Sequence, residues 1–208
     1  MIFDSGDRVL FIGDSITDCG RQGPAAPFGD GYFNLLRALV TARHPDVALT
    51  WLNRGISGNT VRHLRERWER DALAERPDWL AVFIGINDVW RYFGDRAYDH
   101  VPLPEFESTL RSLLTEAVET TGCHLILATP YFIEPSLTDP QRAMSDQYAG
   151  VVRKVASDHG ALLVDTQAVF DELLVSRPAA EWAPDRVHPG IEGHMALALA
   201  FLDVISAA

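Results

Sequence analysis

A serine preceded by glycine and aspartate, Gly13-Asp14-Ser15, stands directly after the apolar run Val9-Leu10-Phe11-Ile12. An apolar run stopped by glycine and small polar residues is the pattern of a buried parallel strand ending in a loop. In open parallel sheets the ligand crevice lies beyond the carboxyl ends of the strands, so a hydroxyl placed there faces substrate while its backbone stays fixed. By itself Gly-Asp-Ser serves equally as a helix cap, since Ser and Asp both cap helix N-termini. Late in the chain, Asp185-Arg186-Val187-His188-Pro189 sets a carboxylate three residues before an imidazole. That spacing puts both groups on one side of a turn. The carboxylate then fixes the tautomer of His188 through one ring nitrogen and leaves the other to take the Ser15 proton within roughly 2.6 to 3.2 Å. An isolated Asp-x-x-His is more often incidental, so the pair gains weight only from its company.

That company follows two further strand-like runs. Val47 to Asn53 leads into Arg54-Gly55-Ile56-Ser57-Gly58-Asn59-Thr60, and the nearly continuous apolar run Trp79 to Gly85 leads into Ile86-Asn87-Asp88-Val89-Trp90. In one parallel sheet, the segments after the first three strands share an end. The backbone amides of Ser15 and Gly58 and the side-chain amide of Asn87 then supply donors for the oxyanion of an acyl-transfer intermediate. Gly58 alone also reads as a turn residue. Cys19 is a rival nucleophile, but no neighbouring pattern lowers its thiol pKa. His188 and His194 lack the four-residue spacing of helical zinc motifs, and nothing here calls for a metal or other cofactor. Asp14, Trp90, Tyr92 and Trp182 are candidate substrate contacts, the aromatics, with Phe93, lying in segments read as loops. Ile56, Val89 and Trp90 are expected to crowd the acyl group.

The elements that must hold these residues alternate. Tyr32, Leu35, Leu36, Leu39 and Val40 recur at helical steps and stop at His44-Pro45; Val61, Leu64 and Trp68 mark a second helix. Phe106 to Val118 forms the clearest helical stripe, followed by a strand over Leu125 to Ala128 and a loop from Tyr131 to Pro140. Met144 to Val155 stripes another helix, closed by Gly160, before a short strand over Ala161 to Asp165 and a short helix from Val169 to Leu174. Ser176 to Gly190 reads as a long loop, of the kind that is more often functional than idle. Ile191 to Ile205 is the last helix. Strands alternating with helices imply right-handed crossovers, a parallel sheet of about five strands and helices on both faces, a three-layer α/β sandwich. The charge run Arg62 to Asp71 alternates in sign, with Glu66 and Arg70 at the favourable four-residue spacing, and reads as a solvated helix face.

The chain of 208 residues is 47% hydrophobic, enough for one sizeable core, and no linker-like stretch divides it, so residues 1–208 are expected to be a single domain. A formal net charge of -11 disfavours nucleic acid and anionic membranes as partners. Two cysteines are too few for a disulfide scaffold, and no secretory or spanning segment is evident, so a cytoplasmic location is expected. A homo-oligomer is compatible with the sequence.

Gly13-Asp14-Ser15, Gly55-Ile56-Ser57-Gly58, Gly85-Ile86-Asn87-Asp88 and Asp185-Arg186-Val187-His188-Pro189, in that order, resemble the four blocks of the GDSL or SGNH esterases. Four ordered blocks are far more specific than any one of them. The resemblance implies a flavodoxin-like SGNH hydrolase fold with Ser15 as nucleophile and Asp185 orienting the base His188. Ser15, Gly58 and Asn87 would be its oxyanion donors. Phe11 to Arg21, Asn53 to Val61 and Ile84 to Arg91 look further like the bacterial intracellular acetylxylan esterases of that family. This implies a small acetylated carbohydrate as substrate, with lysophospholipase, thioesterase, general carboxylesterase and a non-catalytic carbohydrate-binding protein as alternatives. One departure stands out: those relatives place an aromatic immediately before the catalytic Asp, whereas here Pro184 stands there and Trp182 lies two residues earlier.

Overall fold

The computed structural model describes residues 1–94 and 97–207. Five strands, β1 (Arg8–Gly13), β2 (Thr50–Gly55), β3 (Trp79–Phe83), β4 (His124–Ala128) and β5 (Leu162–Val164), form one parallel sheet in the order β2-β1-β3-β4-β5. The register aligns their carboxyl ends: Gly13 pairs with Gly55 on one side and Phe83 on the other, Phe83 with Ala128, and Ala128 with Val164. The strand order reverses at β1, so the segments after β1, β2 and β3 meet at the switch point where such sheets bind ligands.

The side chains of each strand alternate between two cores. Val9, Phe11, Ala81, Phe83, Ile126 and Val164 face a cluster completed by α2 (Tyr32–Arg43), α7 (Thr166–Leu174) and α9 (Ile191–Ala207). Leu10, Ile12, Leu80, Val82, Leu125 and Leu127 face the opposite cluster with α3 (Val61–Trp68), α5 (Leu103–Thr121) and α6 (Pro140–His159). This is the expected three-layer α/β sandwich. No helix among the described residues is long and apolar enough to cross a membrane.

Several boundaries differ from the sequence reading. β2 begins at Thr50 and not at Val47, because Val47 N–H closes a turn onto His44 O at 3.1 Å. The segment after β3 is helical: α4 (Ile86–Phe93) carries Trp90, Tyr92 and Phe93, so these aromatics are not loop residues. A short apolar stretch between charged neighbours had hidden this turn of the chain. Asp139 caps α6 by accepting from Gln141 and Arg142 N–H, which starts that helix at Pro140, well before the apolar stripe. The Ser176 to Gly190 segment contains one helical turn, α8 (Ala179–Trp182).

Gly13 marks where the sheet and the site meet. A Cβ built there would lie 2.2 Å from Phe83 O and 2.8 Å from Thr17 Oγ1, so only glycine lets β1 and β3 stay paired while the chain turns into Asp14. Gly13→Ala is expected to destabilise the fold by about 1–3 kcal/mol, the cost of overpacking a rigid neighbour. Urea unfolding measures it, and a variant as stable as the parent would show that β3 yields at this point.

Candidate active site

Ser15 is the first residue of α1 (Ser15–Asp18), a single turn capped by Asp14, whose Oδ1 accepts from Ile16 N–H at 3.0 Å. The cap belongs to the aspartate, which leaves the Ser15 hydroxyl free to point outward. Ser15 Oγ lies 2.8 Å from His188 Nε2, and His188 Nδ1 lies 2.6 Å from Asp185 Oδ2. A carboxylate only accepts, so Nδ1 carries the hydrogen and Nε2 presents a lone pair to the hydroxyl. The second oxygen of Asp185 accepts from the backbone N–H groups of Val187 at 3.0 Å and His188 at 2.8 Å. Burial pushes the Asp185 carboxyl up, but these three hydrogen bonds outweigh it and hold its pKa below the usual value.

The segment carrying His188 is pinned from outside the relay. Tyr131 Oη donates to Val187 O at 2.9 Å, Ile133 N–H to Arg186 O at 2.9 Å, and Gly190 N–H to Trp182 O at 2.9 Å. Arg186 pairs with Glu134 at 2.8 Å and lies over the Phe132 ring at 4.6 Å. A stretch without apolar periodicity is therefore well fixed.

The segments that carry the two other expected donors follow β2 and β3. Asn87 is the second residue of α4; its Nδ2 donates to Asn59 O at 3.1 Å. Gly58 has φ +78°, the left-handed region that glycine enters without penalty, and its carbonyl accepts from the Arg91 guanidinium, which turns the peptide. Asp18 Oδ2 ties down the same loop by accepting from Ser57 N–H at 3.0 Å and Ser57 Oγ–H at 2.8 Å. Beside the relay opens a cleft of about 430 Å³ lined by Ser15, Ile16, Cys19, Asp30, His188, Pro189, Ile191 and His194.

Cys19 lines this cleft but is poorly suited to attack. Its Sγ lies 3.2 Å from His194 Nε2, and His194 Nδ1 accepts from Tyr32 N–H at 3.3 Å, so Nε2 carries the hydrogen and offers the thiol no base. Burial, with Asp30, Asp18 and Asp14 nearby, pushes the thiol up to about 12, and burial takes His194 down to about 4.

Several of the expected residues sit differently from the sequence reading. Asp14 is 1% exposed and caps α1, so it does not meet substrate. Trp90 does face the site, its ring 5.5 Å from that of His188, but Tyr92 stands two residues further round α4 and packs on Phe93 and His100. Trp182 leans on the core and supports Gly190 and does not line the cleft. Val89 is fully buried in the cluster beneath α4 and is no wall of an acyl pocket. The charge run is not wholly solvated either: Arg67 and Asp71 are buried, and Arg70 pairs with Asp71 instead of Glu66. Arg67 lies three residues beyond Leu64, on the apolar side of α3, and that position was the available signal.

A serine hydrolase is the class that this relay, set at the switch point of a doubly wound sheet, defines. The chain belongs to the GDSL-like lipase/acylhydrolase family, whose model matches residues 11–196. An acetylxylan esterase from Geobacillus stearothermophilus is 47% identical over 210 residues, covering 97% of this chain and 95% of that one. The crystal structure of that enzyme superposes with a TM-score of 0.95, covering 99% of this chain and 96% of its own. An enzyme from the metagenome of Lake Arreo, Spain, described as an alpha/beta hydrolase, is 43% identical with a TM-score of 0.94, covering 99% and 98%. Catalytic mutants of the Geobacillus enzyme replace a serine, an aspartate and a histidine, the last two three positions apart, as Asp185 and His188 are. A further mutant of it replaces a tryptophan immediately before that aspartate, where this chain has Pro184.

Two buried carboxyls lie under the site. Burial raises Asp14 and Asp88 to about 7, and Asp88 Oδ2 has no hydrogen-bond partner among the described residues. The folded protein therefore keeps a proton on Asp88 that the unfolded chain releases near the ordinary value of 3.8, and the stability contribution falls as pH rises from about 4 to about 7. Asp88→Asn, which does not ionise, is expected to gain on the parent across that window, by up to about 1.4 kcal/mol per pH unit. Urea unfolding at pH 4.5 and pH 8 reads the difference; a gap that stays constant would remove Asp88 from the account.

Proposed function

We propose that the chain is a single-domain serine esterase that removes O-acetyl groups from acetylated xylo-oligosaccharides or related sugars. The observation that carries the reading is the continuous relay from Ser15 Oγ through His188 to Asp185, at 2.8 Å and 2.6 Å, opening onto a cleft. His188 Nε2 takes the Ser15 proton as Oγ attacks the acetyl carbonyl. The N–H groups of Ser15 and Gly58 and the Asn87 side-chain amide receive the oxyanion. The His188 imidazolium, stabilised by Asp185, then returns the proton to the departing sugar oxygen. Water, deprotonated by the same nitrogen, attacks the acetyl-serine; the Ser15 Oγ–acyl bond breaks as His188 returns that proton to Oγ, and acetate is released.

The shape of the cleft supports a bulky alcohol. The cleft runs from His188 along Pro189, Ile191, His194 and Asp30, the side on which the leaving oxygen must be protonated. A volume of about 430 Å³ suits a sugar, and a carboxylate at its lip accepts from hydroxyls. A net charge of -11 disfavours anionic lipid and polyuronate surfaces. The likeness to an acetylxylan esterase over nearly the whole chain supports the same substrate class. Two unpaired cysteines are in keeping with a reducing, cytoplasmic compartment.

Ser15→Ala is expected to lower kcat for aryl acetate by at least about 10⁴-fold without loss of stability, since it removes the nucleophile and little packing. Near-normal turnover would overturn the assignment. For aryl esters of rising acyl length, kcat/KM is expected to drop steeply beyond acetate, by about tenfold or more per methylene. Rates that climb toward octanoate would replace the acetyl-sugar reading with a lipid or thioester hydrolase, and absence of all ester cleavage would leave a carbohydrate-binding protein.

A further inference from the structure

The Arg67 guanidinium is buried at the carboxyl edge of the sheet, its side chain 6% exposed. Nε donates to Asn59 Oδ1 at 2.8 Å, Nη1 to Arg54 O at 2.8 Å and to Asp71 Oδ2 at 2.9 Å, and Nη2 to Gly13 O at 3.0 Å. Only one of these four acceptors is a charge partner. The other three belong to the segments that carry the oxyanion donors. Gly13 lies two residues before Ser15; Arg54 is the penultimate residue of the strand that leads to Gly58; Asn59 follows Gly58, and its carbonyl receives the Asn87 amide at 3.1 Å.

We propose that Arg67 is a positioning residue for the esterase reaction, one planar group that fixes the Ser15, Gly58 and Asn87 donors relative to one another. The inference rests on the oxyanion assignment made above. A fixed fork of five N–H donors matches acceptors arrayed in a plane, which a lysine ammonium on a flexible stem does not. Asp71 offsets the buried charge, and Arg70 holds Asp71 from the solvent side at 2.6 Å. A guanidinium serving packing alone would need an anion; this one spends three bonds on neutral oxygens of three site segments. Donors held before the reaction need no reorganisation when the oxyanion forms, and small misplacements are costly to rate.

The test is a double-mutant cycle on the full chain with aryl acetate as substrate, kcat and KM being read together with thermal unfolding. Arg67→Met is expected to lower kcat by about tenfold to hundredfold while KM changes by less than about threefold, and Arg67→Lys to recover only a minor part. Asn87→Ala is expected to lower kcat by about a hundredfold or more. Once Asn87 is gone, adding Arg67→Met is expected to cost less than about threefold further, because both act through one set of donors. Asn59→Ala, which deletes one Arg67 acceptor and keeps the Asn59 carbonyl, is expected to behave likewise if Arg67→Met does not fold. Losses that multiply in the double variant would overturn the proposal, as would an Arg67→Met enzyme with a lowered melting temperature and unchanged kcat. Asn87→Ala with unchanged kcat would instead overturn the oxyanion assignment on which the proposal stands.

Discussion

A hydrogen bond of 2.8 Å between Ser15 Oγ and His188 Nε2 joins residues 173 apart in sequence, and the rest of the structure is arranged so that neither end has to search for the other. Each end is fixed by its own supports. Ser15 leaves the first strand at a glycine with no room for a side chain and enters a turn capped by Asp14. His188 is set by Asp185, which spends one oxygen on the imidazole and the other on two backbone N–H groups, so ring and backbone are oriented by a single carboxylate. Because Asp185 and His188 occupy one turn, their relative placement is local, and only the position of that turn must be transmitted through the fold. Tyr131, Ile133 and Arg186 transmit it, linking the turn to the segment after β4.

The polar groups beneath the site are costly to bury, and their arrangement offsets that cost unevenly. Arg67 is satisfied on four acceptors, and the cost of desolvating it is offset by Asp71 and by the Asn59 amide oxygen and two backbone carbonyls, those of Gly13 and Arg54, at the strand ends. Asp14 and Asp88 are less well served: each accepts a backbone N–H, yet burial dominates and favours their protonated forms. They buy backbone geometry, the cap of α1 and the anchor of Val61 at the start of α3.

The layers, the strand centres and the relay were legible because each rests on a local signal. Continuous apolar runs marked β1 and β3, helical stripes marked α2, α5 and α9, and Asp185 and His188 occupy a single turn. What failed depends on partners distant in sequence. Trp90, Tyr92 and Phe93 looked like loop residues because α4 is only two turns long and its start lacks a side-chain cap. Arg67 and Asp71 looked solvated because their signs fit an alternating surface run, and only the tertiary position of α3 brings Arg67 against Gly13 and Asn59. Val89 looked close to substrate because it is next but one to Asn87, yet a helix turns it about 200° away, into the core.

The relay itself stays open to water, with the side chains of His188 and Asp185 43% and 42% exposed, and the residue before Asp185 is an exposed proline. Among the described residues, the aromatic ring against the imidazole is that of Trp90, 5.5 Å away. Exclusion of water is therefore a weak source of electrostatic advantage on the His188 side. The opposite side, where Asn87, Asn59 and Arg67 are each at most 7% exposed, is where dipoles are fixed and solvent is absent. The site is thus asymmetric: a wet, accessible half that exchanges protons with an alcohol and then with water, and a dry, rigid half suited to receiving negative charge. Ester hydrolysis through an acyl-enzyme needs both, because the same His188 nitrogen must meet a departing alcohol and an arriving water while the groups proposed to receive the oxyanion stay where they are.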